Sequence, residues 1–139
     1  MEDFDLESAS EDDLDKIQQI AEEGGLCHYP KPVLRWLIRE KFIMAAKKGG
    51  RTIAYFSYLI FPWIKRAFLL QIGIKKEHRG KGLGSKLLTL LCQKMKRENG
   101  TKEIFAHTLK PRVVKLFQRQ RWSVFARFFG VAVVQKAIK

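Results

Sequence analysis

The residues best suited to chemistry are three glycines and two basic residues that follow a strongly apolar run. Gly80, Gly82 and Gly84 lie within five positions, and Arg79 and Lys81 stand among them. Closely spaced glycines let the main chain direct several N–H groups toward one point, and a helix that begins behind them adds the positive end of its dipole. The pattern predicts a phosphate-binding turn, although the same glycines are also typical of a tight turn without a ligand.

Two common phosphate loops do not fit this turn. A Walker A loop carries a Lys-Ser or Lys-Thr pair directly after its last glycine, whereas Gly84 is followed by Ser85 alone. A dinucleotide fingerprint needs GxGxxG spacing and an acidic residue about 20 positions later. The spacing here is GxGxG, and only Glu98 and Glu103 follow. A nucleotide triphosphatase and a dinucleotide-binding enzyme are therefore disfavoured.

The elements that must position this turn are a strand before it and a helix after it. Residues 68–74, FLLQIGI, are typical of a buried strand, and Gly73 within it indicates a bulge or a close approach by another group. After the turn, a helix is predicted over 82–99. Its apolar face is formed by residues at three-and-four spacing: Leu87, Leu88, Leu90, Leu91 and Met95.

The remaining elements follow from apolar periodicity, capping residues and turn residues. Before the turn we expect strands at 4–9, 42–47, 52–63 and 66–75, and helices at 33–41 and from Ser10 or Asp12 to Glu23. After it we expect strands at 102–109, 123–127 and 131–138, and a helix at 111–120. The order β-α-α-β-β-β-α-β-α-β-β requires one mixed, mostly antiparallel sheet with helices on both faces, an α/β (α+β) fold. We expect one domain over residues 1–139.

Composition limits the class of protein. The chain has 139 residues, of which 46% are hydrophobic, which is enough for one domain with a substantial core. No apolar stretch reaches the ~18 residues of a membrane span, and the acidic start does not resemble a signal peptide, so we expect a cytoplasmic protein without membrane attachment. Cys27 and Cys92 lack metal-ligand spacing and the histidines are scattered, which disfavours a disulfide or a metal site.

Charge is strongly segregated along the chain. The formal net charge is +13, yet residues 1–25 hold ten of the 14 acidic residues and one basic residue. Residues 26–139 therefore carry +22. Such a body attracts polyanions, nucleic acid among them, but a basic surface that only maintains solubility is equally compatible with these numbers.

The glycine turn also resembles the coenzyme loop of the GCN5-related N-acetyltransferase (GNAT) family. Residues 79–84, RGKGLG, match that family's [RQ]xxGx[GA] loop, and residues 72–74 resemble its bulged fourth strand. Residues 116–122, LFQRQRW, stand where the family usually has Leu-Tyr-Glu-Lys-x-Gly-Phe. The two signatures together extend the resemblance over nearly the whole chain, and it implies the acyl-CoA N-acyltransferase fold.

The resemblance implies an N-acetyltransferase that moves an acetyl group from acetyl-CoA to an amine. In that arrangement the main chain of Ile72 and Ile74 pairs with pantetheine, the amides of 79–85 hold pyrophosphate, and an amide near Ile72 polarises the thioester carbonyl. The implied coenzyme-binding residues are Ile72, Gly73, Ile74, Arg79, Gly80, Lys81, Gly82, Leu83, Gly84, Ser85 and Phe117.

Two positions depart from the family pattern. The tyrosine that commonly protonates the leaving sulfur falls at Phe117, which has no hydroxyl, and the usual asparagine seven positions earlier falls at Lys110. The general acid and the general base are therefore unassigned. The titratable candidates are His28, Glu77 and His107.

Three functions remain open at this point: an acetyltransferase acting on the amine of a small molecule or protein, an enzyme of the same fold acting on nucleic acid or an RNA-linked amine such as aminoacyl-tRNA, and a non-catalytic module that binds coenzyme A or a polyanion. We expect His28 and Tyr29 to contact the acceptor, because their loop should border its pocket. Exposed aromatic residues beside Arg119, Arg121 and Arg127 would stack bases or form a dimer face, so monomer and homodimer both remain open.

Overall fold

The predicted order of helices and strands is confirmed. A computed structural model describes residues 3–26, 29–108, 110–128 and 131–138, apart from the side chains of Asn99 and Phe128. The strands are β1 (Asp5–Ser8), β2 (Ile43–Lys48), β3 (Arg51–Phe61), β4 (Arg66–Ile74), β5 (Glu103–Thr108), β6 (Ser123–Phe128) and β7 (Val131–Ala137). The helices are α1 (Leu14–Glu23), α2 (Lys31–Arg39), α3 (Leu83–Asn99) and α4 (Pro111–Arg119).

One mixed sheet contains all seven strands, in the order β1-β2-β3-β4-β5-β7-β6. β4 and β5 run parallel, whereas β1–β2, β2–β3, β5–β7 and β6–β7 are antiparallel pairs. The predicted mixed, mostly antiparallel fold is therefore confirmed. The chain divides into two compact units, Met1–Tyr58 with Gln71–Gly84 and Leu59–Leu70 with Ser85–Lys139, and the single domain expected from length stays a prediction.

In the first unit, α1 buries the apolar face that its sequence predicted: Leu14, Ile17, Ile20 and Ala21. The helix is preceded by a 3₁₀ turn, Glu11–Asp13, so that Ser10 caps this turn, and α1 itself starts four residues later. The Asp13 carboxylate accepts hydrogen bonds from the main-chain N–H of Ser10 (2.8 Å) and the Thr52 hydroxyl (3.1 Å), and it pairs with the Lys47 ammonium at 2.8 Å. Burial alone would raise the pKa of Asp13, but these partners outweigh it and hold that pKa below its ordinary value.

Among the predicted boundaries that were wrong, three have identifiable local reasons. β3 ends at Phe61 because Pro62 has no N–H for the sheet, and Trp63 lies in a 3₁₀ turn, Pro62–Ile64. α2 starts at Lys31 rather than Val33, since prolines suit the first turn of a helix. α3 begins at Leu83 because Gly82 has a positive φ of 80° and cannot be its first residue.

In the second unit, side chains on one face of β4 and β5 are almost fully buried, while their neighbours on the other face are half-exposed or exposed. The buried set is Ala67, Leu69, Ile104 and Ala106. α4 adds Val114 and Phe117 to this core. Among the described residues, none of the helices has the length and apolar character that crossing a membrane requires.

Candidate functional site

The turn between β4 and α3 has a shape that only glycine adopts easily. A 3₁₀ turn, Lys76–His78, leads to an extended Arg79, and then Gly80 and Gly82 take positive φ angles of 75° and 80°. A Cβ atom added to either glycine would meet nothing within 4 Å. The two glycines therefore supply left-handed backbone and also leave open space above the main chain.

Helix α3 adds main-chain donors that have no acceptor within the helix to this turn. The first four N–H groups of an α-helix have no acceptor within the helix, and in α3 these belong to residues 83–86. The first turn of α3 contains no acidic residue that would compete for them. Gly84 lies within this helical turn, so it contributes an amide donor and not a bend in the chain. Turn and helix together are suited to an anion such as pyrophosphate.

Strand β4 presents the main chain of Ile72 and Ile74 away from β3. The Lys75 N–H donates to the Ile53 carbonyl of β3 at 2.8 Å. Main-chain polar groups of successive strand residues point to alternate edges, so Ile74 and Ile72 point to the opposite edge. On that edge the described pairing with β5 covers only 66–69 of β4. The N–H and C=O groups of Ile72 and Ile74 therefore point away from β3, and their pairing with pantetheine stays a prediction.

Arg79 fixes the entrance to the turn. Its Nε donates to the Ile74 carbonyl at 2.9 Å. One terminal nitrogen of its guanidinium lies 3.4 Å from the position that a Cβ on Gly24 would occupy, at the end of α1. The side chain thus connects the last residue of β4 with the end of α1, and the contribution of Arg79 to an anion site is to hold the turn in place.

A small cleft, with a cavity volume of about 10 Å³ and an open mouth, lies against β4 in the same unit. Its lining is apolar except for two phenols and two amides: Ile17, Gln18, Ala21, Tyr29, Leu34, Tyr55 and Gln71. The Tyr55 hydroxyl donates to Gln71 Oε1 at 2.8 Å. Burial, together with the neighbouring Tyr29, raises the pKa of Tyr55 well above its ordinary value, so its phenol stays protonated at any working pH.

Gly73 makes this cleft wall possible. A Cβ on Gly73 would lie 2.5 Å from Tyr55 Cε1, closer than side chains can approach, and would make a tight contact of 3.2 Å with Ile20 Cγ2. Of the two readings of Gly73, a bulge or a close approach, the structure shows the close approach. Tyr55 was not among the predicted site residues, although the polar Gln71 beside Gly73 in an otherwise apolar strand was an available signal.

The other predicted site residues lie elsewhere or do not fit the roles proposed for them. His28 lies outside the described residues. Glu77 is exposed, and a hydrogen bond with its own main chain lowers its carboxyl pKa, which makes it a weak base. His107 is exposed in the second unit, with its ring 6.3 Å from that of Phe68. Neither Glu77 nor His107 lines the cleft, whereas Tyr29 does, and contact of Tyr29 with an acceptor stays a prediction.

Phe117 and Lys110 belong to α4 and its cap. The Phe117 ring is 2% exposed and packs on Trp122, with ring centroids 4.8 Å apart. Lys110 is the N-cap residue of α4, and its main-chain N–H donates to the Thr108 hydroxyl at 3.1 Å. Coenzyme contact by Phe117 stays a prediction.

The chain is similar to known proteins both in sequence and in fold. The sequence matches the profile of the acetyltransferase (GNAT) family over residues 11–121. No curated protein matches it in sequence. Ard1 from Thermoplasma volcanium superposes with a TM-score of 0.85 at 13% identity, and the alignment covers 98% of each chain.

Two further solved structures share the fold. The ribosomal-protein-S18-alanine N-acetyltransferase from Escherichia coli has a TM-score of 0.82 at 13% identity, covering 98% of this chain and 94% of that one. yncA from Salmonella typhimurium, solved with its cofactor acetyl-CoA, has a TM-score of 0.80 at 16% identity, covering 99% and 95%. The predicted fold class and the family resemblance are both confirmed by these matches.

Proposed function

Because this chain belongs to the acetyltransferase (GNAT) family, we propose that it transfers an acetyl group from acetyl-CoA to the α-amino group of an acceptor. The observation that carries the proposal is that the glycine turn and the cleft are both built on β4. The turn follows the end of this strand, and the cleft is lined by Gln71 of the same strand. A coenzyme bound at the turn and an acceptor bound in the cleft would therefore both lie against β4.

The residues present fit the coenzyme. Bound acetyl-CoA supplies a thioester, whose carbonyl carbon an amine can attack. The open space above Gly80 and Gly82 and the free amides of residues 83–86 suit its pyrophosphate. The Ile72 N–H, directed away from β3, is positioned to donate to the carbonyl oxygen as negative charge develops there. A donor of this kind is typically worth about 3 kcal/mol of transition-state stabilisation.

The cleft lining favours an acceptor that arrives as a neutral amine. Among the described residues that line it there is no Asp, Glu or His, so none of these residues matches a charged ammonium or acts as a strong base. An α-amino group has a pKa of about 7.7–8.0, against about 10.4 for the lysine ε-amine, so only the former is substantially neutral near pH 7.5. One relative of this fold acts on an alanine, a residue whose amine is its α-amino group.

The pKa values of the reacting groups explain how the reaction can proceed with Phe117 in place of the family's usual tyrosine. A thiol has a pKa of about 8.5, so the sulfur can leave as thiolate near neutral pH and take its proton from solvent. The α-amino group loses one proton to solvent in the same pH range before it attacks, and its nitrogen loses a second proton to water as the amide forms. None of these transfers requires a protein acid at position 117.

A selectivity assay tests the proposed acceptor. Thiol release from acetyl-CoA would be followed at pH 7.5 with a peptide that has a free α-amino group and no lysine, and with an Nα-blocked peptide that has one lysine. At pH 7.5 a much larger fraction of α-amino groups than of lysine amines is neutral, so we expect the first peptide to react on the order of 100-fold faster than the second. The rate should rise with pH up to about 8 and then level off. Equal rates with the two peptides, or no binding of acetyl-CoA by calorimetry, would contradict the proposal.

Tyr55→Phe tests whether the cleft wall serves the reaction. Tyr55 donates to Gln71 and thereby orients that amide at the cleft. We expect roughly a 10-fold loss of kcat/KM without a change in the shape of the pH profile, because the Tyr55 phenol does not titrate in this range, and a loss of stability of about 1 kcal/mol.

Tyr58→Phe is the matched control for Tyr55→Phe. Tyr58 is also buried in β3, but its hydroxyl donates to the Lys41 carbonyl at 3.0 Å and it does not line the cleft. It should lose similar stability and keep its rate. If both variants lose activity equally, the role of Tyr55 is only structural.

A further inference from the structure

A row of three phenylalanines crosses the half-exposed face of the strands in the second unit. Phe68 of β4 and Phe105 of β5 are register neighbours, with ring centroids 6.2 Å apart and ring planes only 23° apart. Phe125 of β6 lies 5.7 Å from Phe105 at 78°. We call these three residues the phenylalanine row. Their rings form a continuous aromatic surface.

The row is presented outward by the way its strands are built. Phe68 and Phe105 alternate with residues that are almost fully buried, so their side chains lie on the opposite, accessible face. The register of β6 against β7 shifts between Val124 and Ala126, and Phe125 is the extra residue at this bulge. Bulges redirect a side chain, and that of Phe125 is 61% exposed. Clustered aromatic exposure of this kind indicates a binding surface.

The charge of the same unit identifies the chemistry of the partner. Residues 59–70 and 85–139 contain 15 basic and 2 acidic residues. Both acidic residues are already paired, Glu103 with Arg66 at 2.7 Å and Glu98 with Lys94. The partner is therefore a polyanion. A second copy of this chain would bring two strongly positive units together, which opposes a homodimer through this face.

Single-stranded nucleic acid combines the two required properties. It carries one phosphate charge per nucleotide, and its bases offer flat faces that stack on aromatic side chains. A duplex hides those faces within its own stack, and an acidic peptide has none. Arg127, exposed two residues from Phe125, places a cation beside the row. We propose that the phenylalanine row is a platform on which bases of a single-stranded nucleic acid stack while surrounding basic residues contact its phosphates.

Fluorescence anisotropy with labelled oligonucleotides tests this platform. The probes are a fluorescein-labelled 12-nucleotide oligouridine and a 12-base-pair duplex, titrated with the full chain at several salt concentrations. We expect the single strand to bind more tightly than the duplex. We also expect log K for the single strand to fall linearly with the logarithm of the salt concentration, with a slope of about −0.7 for each phosphate contact. Phe125→Ala should weaken binding about 10-fold, since stacking is worth roughly 1–3 kcal/mol per base, and should leave the salt slope unchanged.

Two further variants separate stacking from charge and from damage to the fold. Arg127→Ala should make the slope of log K against log salt shallower by the contribution of about one phosphate contact. Trp36→Ala removes an aromatic side chain that is 45% exposed on α2 in the other unit, and it should keep oligouridine affinity within about twofold. Thermal melting of each variant shows whether it is folded.

Three outcomes would overturn the platform. They are no binding of oligouridine, equal binding of duplex and single strand, and full affinity in folded Phe125→Ala. A dimer in sedimentation that Phe125→Ala converts to monomer would assign the row to a second copy instead. Acetyl-CoA binding, measured by calorimetry in parallel, is expected to be unchanged in Phe125→Ala, so the platform and the acetyl-transfer proposal can fail separately.

Discussion

Gly82→Trp is expected to abolish acetyl-CoA binding while the protein remains folded. Gly82 has a φ of 80°, and a side chain there would enter open space above the turn. The left-handed backbone makes any other residue unfavourable by roughly 1–2 kcal/mol, which a folded domain tolerates. The indole would occupy the volume assigned to pyrophosphate and remove at least two charge-assisted hydrogen bonds. We therefore expect at least about a 100-fold loss of affinity in calorimetry.

Gly50→Trp provides the matched control for this variant. Gly50 lies in the turn between β2 and β3, with a φ of 76° and nothing within 4 Å of an added Cβ. The Gly50→Trp variant has the same backbone strain and the same exposed indole, but at a position that is well separated in sequence from the glycine turn. Both variants should lose similar melting temperature, and Gly50→Trp should bind acetyl-CoA normally. Affinity within threefold of wild type in Gly82→Trp would refute the phosphate-binding role of the turn.

The glycine turn was predictable because its signal is local. Glycines that allow positive φ and a periodic apolar helix behind them are readable within 20 residues of sequence. The element order was predictable for the same reason. The end of α2 was predicted at Lys41 but lies at Arg39, and the residue that adopts a positive φ beyond this end is Lys41, a lysine and not a glycine. Nothing in a lysine side chain marks such a position.

The cleft could not be predicted because it depends on contacts between distant residues. Tyr55 and Gln71 are 16 residues apart and meet across neighbouring strands. Asp13 and Thr52 are 39 residues apart, and the sequence showed Asp13 only as an acidic residue at a helix start. Strand register decides such contacts, and a single apolar pattern does not determine which residues of two strands lie opposite each other.

The aromatic residues show the same division between local and long-range information. Three aromatic residues of β3 lie in the core, Tyr55, Phe56 and Tyr58, each at most 2% exposed. Trp63, which follows the end of β3 at Phe61, is 77% exposed, and Phe125 at the β6 bulge is 61% exposed. Exposure here results from a proline and a register shift, and only the proline is visible in the sequence.

Gly73→Ala is expected to damage both stability and acetyl transfer, although it adds a single methyl group. The new Cβ would lie 2.5 Å from Tyr55 Cε1 and 3.0 Å from its Cζ. Tyr55 is 1% exposed and hydrogen-bonded to Gln71, so its ring has to move out of its packed position. Overpacking and the lost hydrogen bond together should reduce the free energy of unfolding by about 3 kcal/mol.

Because the displaced ring is a wall of the cleft, Gly73→Ala should also reduce kcat/KM on the order of 100-fold, as misplacement by about 1 Å does.

Gly24→Ala is the control for Gly73→Ala. Gly24 has a φ of −86°, and the nearest contact of an added Cβ would be the flexible Arg79 side chain at 3.4 Å. The variant should therefore change stability by less than about 1 kcal/mol. Removing the ring removes the clash, so the double variant Gly73→Ala/Tyr55→Leu should be at least about 1 kcal/mol more stable than additivity predicts. Additive losses in chemical denaturation would show that Gly73 and Tyr55 do not constrain each other, and the cleft would then need another explanation for its glycine.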